Sequence, residues 1–125
     1  MKLRIRGDSV RLRLTRGEVA NLAAGNAVEE ATRFPGGARF RYVLRTRAGV
    51  AAVDAGFAAD TLTIELPEIA AREWASSERV EIRALLPLSD GELSVLVEKD
   101  FPCLTTRPDE DDSDAFPRTE PTGKC

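Results

Sequence analysis

With 125 residues, 42% of them hydrophobic, and no long apolar run, the chain is expected to form one soluble globular domain without a membrane span or export signal. Histidine is absent, which removes the commonest general base and metal ligand, every Ser-His or Cys-His pair, and every Cys/His zinc pattern. The net charge of −3 conceals an asymmetry: residues 1–47 carry 11 Lys/Arg against 4 Asp/Glu, residues 48–100 carry 4 against 11, and residues 101–125 carry 3 against 6.

The chain opens MKLRIRGDSVRLRL. Leu3 and Ile5 alternate with Lys2, Arg4 and Arg6, and Val10, Leu12 and Leu14 alternate with Ser9, Arg11 and Arg13, the signal of two half-buried strands. Gly7-Asp8 supplies the turn. The resulting hairpin sets Lys2 opposite Arg13 and Arg4 opposite Arg11, a like-charge ladder that is destabilising unless something negative faces it. Thr15 and Glu18 form a capping box that starts a helix with Val19, Leu22 and Ala23 as its apolar stripe, and Gly25-Asn26 ends it. Strands are expected around Ala27–Phe34 and Arg39–Arg47, joined by a Pro35-Gly36-Gly37 turn.

The second half repeats this order. Strands are expected at Val50–Ala58 and Thr61–Leu66, a short helix at Pro67–Ser76, and a hairpin of Arg79–Leu86 and Glu92–Lys99 around Ser89-Asp90-Gly91. An ungapped offset of 52 residues lays one half on the other: Val10, Leu12 and Leu14 fall on Leu62, Ile64 and Leu66, Thr15 on Pro67, and Leu22 on Trp74. Trp74 is therefore expected to anchor the core.

GDSVRLRLTR at positions 7–16 resembles the G-N-S-x-x-V-R-I-P-K hairpin-to-helix motif of the swapped-hairpin barrels, the AbrB-type transition-state regulators and MazE-type antitoxins. Gly7, Ser9, Arg13 and Leu14 match in place, while Asp8, Thr15 and Arg16 stand for Asn, Pro and Lys. IELPEIAAREW resembles the motif again, with Pro67 restoring the proline. The resemblance implies a mainly β (α+β) fold with two short helices, in which two tandem ββαββ units close into one swapped-hairpin-like β-barrel. Residues 1–100 would be that single domain, made of pseudo-repeats 1–47 and 48–100, followed by an acidic, Pro-rich, partly disordered tail at 101–125. Closure in one chain implies a monomeric pseudo-dimer or a homodimer. The tail also resembles the ends of a group of small uncharacterised bacterial proteins of unknown function.

Two functions from different classes follow. The resemblance implies nucleic-acid binding, mainly to phosphate, through Arg4, Arg6, Ser9, Arg11, Arg13 and Arg16; guanidinium forks on one face suit phosphates, and a two-stranded ribbon fits the major groove. Against this, the matching positions of the second unit (Asp60, Thr61, Thr63, Glu65) are acidic or neutral, and no aromatics interleave with the arginines. The alternative is an antitoxin-like protein-interaction module acting through the acidic tail, which could fold on a partner or lie back on the chain's own arginine face. The charge polarity itself is equally met by neutralisation within the fold or across a dimer.

No enzymatic activity, metal or cofactor is expected. Glu29, Glu30, Glu65 and Glu81 lie at strand positions where nearby arginines can pair with them, so acid-base catalysis has no support. Asp109, Asp111, Ser113 and Glu120 have the spacing of a calcium loop, but Asp114 replaces its required Gly and Pro117 interrupts it. Cys103 sits near acids that oppose thiolate formation. A Cys103–Cys125 disulfide would close only the tail, so a reducing, cytoplasmic location is expected.

Overall fold

A computed structural model describes residues 1–101. Eight strands and two helices follow in the order β1 (Lys2–Ile5), β2 (Ser9–Leu14), α1 (Arg16–Ala23), β3 (Val28–Arg33), β4 (Arg39–Arg47), β5 (Asp54–Ala58), β6 (Thr61–Pro67), α2 (Glu68–Ser76), β7 (Glu81–Leu88) and β8 (Gly91–Lys99). Local chemistry accounts for most boundaries. Thr15 caps α1 with both bonds of the capping box, Glu18 N–H to Thr15 Oγ1 at 3.3 Å and Thr15 N–H to Glu18 Oε1 at 2.9 Å. At the other end Asn26 N–H donates to Asn21 O and Gly25 N–H to Leu22 O, with Gly25 at φ 91°, the two bonds of a Schellman stop. Pro67 ends β6 and caps α2 instead of opening it. The strand expected from Val50 begins only at Asp54; residues 50–53, which follow the turn at Gly49 (φ 77°), pair with no described strand.

The strands form two four-stranded sheets, sheet I in the order β1-β2-β8-β7 and sheet II in the order β3-β4-β6-β5. Each joins two antiparallel hairpins by a parallel pairing of their inner strands, β2 with β8 and β4 with β6. Strands from both halves of the chain therefore share each sheet. The mainly β composition with two helices is as expected, but the single closed barrel is not. Both sheets are open, and among the described residues no ladder links the edge strands β1 and β7 to β3 and β5. The edges are protected by charge and shortness instead of closure. β1 is four residues long and carries Lys2 and Arg4, β3 carries Glu29, Glu30 and Arg33, and β7 contains Pro87, which has no N–H to offer a neighbour.

The inward faces of both sheets and both helices meet in one core. Val10, Leu12 and Leu14 of β2, Leu62, Ile64 and Leu66 of β6, Val95 and Val97 of β8, Leu22 of α1 and Trp74 of α2 all belong to it. Leu22 and Trp74 are 1% and 0% exposed, so the two helices drive matched anchors into the same interior. Trp74 Nε1–H donates to Val80 O at 3.0 Å, which satisfies its only polar atom.

The 52-residue offset carries β2 onto β6, α1 onto α2 and β4 onto β8, yet the last pair is out of phase. Leu44 faces the core, while its match Leu96 lies on the outer face and Val95 and Val97 turn inward. The connections explain the slip: β7 and β8 are joined by Ser89-Asp90 alone, whereas β3 and β4 are joined by residues 34–38. A slip of one residue exchanges the two faces of a strand. Here it brings Glu98 out of the core side and onto the outer face of sheet I.

Candidate functional site

The outer face of sheet I can be read row by row from its registers. One row runs Lys2, Arg13, Glu98, Glu81 across β1, β2, β8 and β7; the next runs Arg4, Arg11, Leu96, Arg83; a third contains Ser9, Ser94 and Leu85. The like-charge ladder expected in the first hairpin is therefore present. Its partner is Glu98 on the adjacent parallel strand. Arg13 Nε donates to Glu98 Oε1 at 2.8 Å, and Arg11 Nε lies 4.0 Å from the same oxygen. The Glu98 side chain is only 7% exposed, and those of Arg11 and Arg13 are 16% and 13% exposed. None of Arg4, Arg11, Arg13 and Arg83 lacks a partner. The face thus combines five cations (Lys2, Arg4, Arg11, Arg13, Arg83) with four carboxylates (Glu81, Glu92, Glu98 and, at its border against Lys2, Asp100) around a buried Leu96 and an exposed Leu85.

The six residues expected to bind nucleic acid do not form one surface. Arg4, Ser9, Arg11 and Arg13 share this face. Arg6 is exposed one residue beyond β1, and its N–H bond to Ser9 O continues the β1–β2 register, so it borders the Ser9 row of the same face. Arg16 opens α1 and lines a cleft of about 870 Å³ between the helices, together with Val19, Ala23, Arg72 and Ala75. The hairpin is also not a projecting ribbon, because β2 is an interior strand bonded on both sides.

Sheet II repeats the charge pairing with its signs exchanged. Glu65, which the offset places on Arg13, sits opposite Asp54, which it places on Lys2. Arg45 Nε at 2.9 Å and Arg47 Nη1 at 3.7 Å, both from the neighbouring parallel strand β4, hold the Glu65 carboxylate. Glu29 pairs with Arg41 at 3.3 Å and Glu81 with Arg83 at 3.2 Å, as their strand positions led us to expect. Each sheet answers its like-charge edge pair with the opposite charge from the strand beside it.

A third cluster ties the sheets together. The Met1 ammonium contacts Glu18 of α1 and Glu30 of β3, the latter at 2.9 Å, and the Tyr42 hydroxyl lies 3.5 Å from both Met1 O and Glu30 Oε2. Burial works to lower the ammonium pKa, but its hydrogen bonds to the two carboxylates and their charges prevail and raise it. Burial likewise works to raise Glu18, and the bonds from the ammonium and from Thr15 hold it below the ordinary carboxylate value. Tyr42 is raised by its own burial and by the charges on Glu30 and Glu18.

The functional residue that sequence reasoning missed is Glu98. The signal was the break in SVLVEK, where an acid follows three apolar residues, but its direction depended on the β8 phase. The interhelical cleft was also missed, since no motif marks it. Asp109, Asp111, Ser113, Glu120, Cys103 and Cys125 lie outside the described residues. Among the described residues no group of His, Cys, Asp or Glu has the geometry to hold a metal ion, and no helix is long and apolar enough to cross a membrane.

In comparison with protein families, a family of unknown function, DUF7009, matches residues 1–120. The chain belongs to that family. Membership covers both sheets, both helices and most of the acidic segment beyond β8. It lends no support to the AbrB/MazE-like assignment, so that resemblance rests on its short motifs alone. No curated protein and no solved structure matches the chain.

Proposed function

We propose that this family member is a non-catalytic binding module that holds an acidic polypeptide segment on the outer face of sheet I. The observation that carries the reading is the seat of Glu98, a carboxylate already accommodated among arginines on an open sheet face. Guanidinium groups recognise a carboxylate through parallel N–H donors, and low exposure strengthens each such bond. The 61% exposed Leu85 lies in the row beside Arg83, which favours a peptide with apolar side chains over a bare phosphate backbone. The carboxylates that acid-base catalysis would need, Glu29, Glu65, Glu81 and Glu98, are each tied to arginine, which favours binding over chemistry.

Nucleic acid is the competing ligand, and the interior position of β2 disfavours it because the hairpin cannot enter a groove as a free ribbon. The test is a titration of the full chain with a Glu/Asp-rich peptide and with duplex DNA, each at two salt concentrations. Saturable peptide binding is expected, with Arg4→Glu and Arg83→Glu together weakening it about tenfold. Tighter binding to duplex DNA with a steep salt slope, or peptide binding indifferent to the two reversals, would overturn the proposal.

A further inference from the structure

We infer that in the free protein this face is occupied by the chain's own segment Asp109–Asp114 (DEDDSD), so that a partner must displace it. The inference rests on the reading of the outer face as an acidic-peptide site and adds its regulation.

Three observations converge on this occupant. The first is charge: five acids in six residues meet a face whose central row, Arg4, Arg11 and Arg83, carries three cations and no carboxylate, within five cations and four carboxylates overall. The second is where the chain leaves the sheet. Asp100 N–H donates to Leu14 O at 2.8 Å, and Lys2 Nζ lies 3.5 Å from Asp100 Oδ2. The chain therefore departs beside the row of Lys2, Arg13 and Glu98, at the border of the basic face. The third is reach. The steps from Phe101 to Asp109 span at most about 28 Å when extended. Four strands at about 4.8 Å spacing make a face only about 14 Å across, so the acidic run can reach any of its strands.

A tethered ligand of this kind acts at an effective concentration of about 1 mM. If the same segment added in trans binds an emptied face with a Kd of about 0.1 mM, the closed form outweighs the open form about tenfold. A competing peptide then binds the wild-type chain about tenfold more weakly than a chain whose tail cannot compete.

The experiment compares two full-length chains, wild type and the variant with Asp109→Asn, Glu110→Gln, Asp111→Asn, Asp112→Asn and Asp114→Asn. Each is titrated with a synthetic peptide of residues 105–120, with the backbone amide signals and the Nε–Hε signals of Arg4, Arg11, Arg13 and Arg83 followed by NMR. The expected result is saturation at these arginines, about tenfold tighter in the neutralised variant and independent of protein concentration. Equal affinities for the two chains would overturn the inference while leaving the acidic-peptide reading intact. Absence of arginine shifts in both chains would overturn the two together. A difference that grows with protein concentration would assign the docking to a second copy, and shifts confined to Ala20, Ala23 and Ala75 would assign it to the interhelical cleft; either result overturns the inference.

Discussion

Replacing Glu98 by Gln separates stability from binding in a way few single changes can. The substitution keeps the shape of a nearly buried side chain and removes its charge. Arg13 Nε still finds an oxygen at 2.8 Å, so a charge-assisted hydrogen bond becomes an ordinary one, a loss of about 1 kcal/mol. The 4.0 Å Arg11 contact loses its Coulombic attraction, which in this setting is mostly offset by the desolvation that the charge no longer incurs. Glu81, directly opposite on β7, is relieved of a like-charge neighbour, which returns about 0.5 kcal/mol. The net expectation is a destabilisation of about 0.5 kcal/mol, or a Tm lower by about 2–4 °C. The chain has one tryptophan, Trp74, fully buried, so urea unfolding at pH 7 is read directly from its fluorescence. The same change makes the outer face more positive, so an acidic peptide should bind more tightly to the less stable protein. Unchanged stability, or weaker peptide binding alongside the lost stability, would refute the account of Glu98 as the face's internal counter-charge.

The Met1–Glu18–Glu30 cluster sets a pH window. Glu18 has its pKa lowered from an ordinary 4.5, so its contribution is present above 4.5 and lost as pH falls through the folded value. The Met1 ammonium is raised from 8.0, so its contribution is complete below 8.0 and lost as pH rises through the folded value. Denaturation midpoints across pH 3–10 should therefore show a plateau between these limits whose two shoulders shrink in Glu18→Gln; an unaltered profile would contradict the cluster's role. Ala59 and Asp60 hold φ of 51° and 57° in the β5–β6 turn, where a side chain is disfavoured, and Gly7 fills the matching position of the first turn. Ala59→Gly should stabilise by about 0.5 kcal/mol in urea unfolding, the relief of left-handed strain outweighing the entropy of glycine. Trp74→Phe removes the 3.0 Å bond to Val80 O and replaces the indole under Lys99 Nζ, at 5.6 Å, with a smaller and weaker ring, and should cost about 2–4 kcal/mol by thermal unfolding followed with circular dichroism. A cost below 1 kcal/mol would mean that the anchor is replaceable.

Much of this molecule was legible before folding because its signals are local. Alternation places Val10, Leu12 and Leu14 inside whatever sheet receives them, and the Thr15–Glu18 box and Gly25 bound α1 without reference to the rest of the chain. The offset of 52 likewise pairs Leu22 with Trp74, because buried anchors recur wherever an amphipathic unit recurs. The Lys2–Arg13 and Arg4–Arg11 ladder was equally visible, since a tight turn sets the register of its own hairpin.

What answers that ladder was not. Its counter-charge comes from Glu98, eighty-five positions beyond Arg13, and reaches it only because β2 pairs in parallel with β8. Which face Glu98 occupies depends on the phase of β8, which the two-residue turn at Ser89-Asp90 decides against the precedent of the longer β3–β4 connection. Openness was likewise a tertiary outcome: alternation favours two sheets and a barrel equally, and the charged, short edges settle it only once each strand has its neighbours. Local periodicity says which side chains turn inward. Long-range pairing alone says which charges meet on the other side.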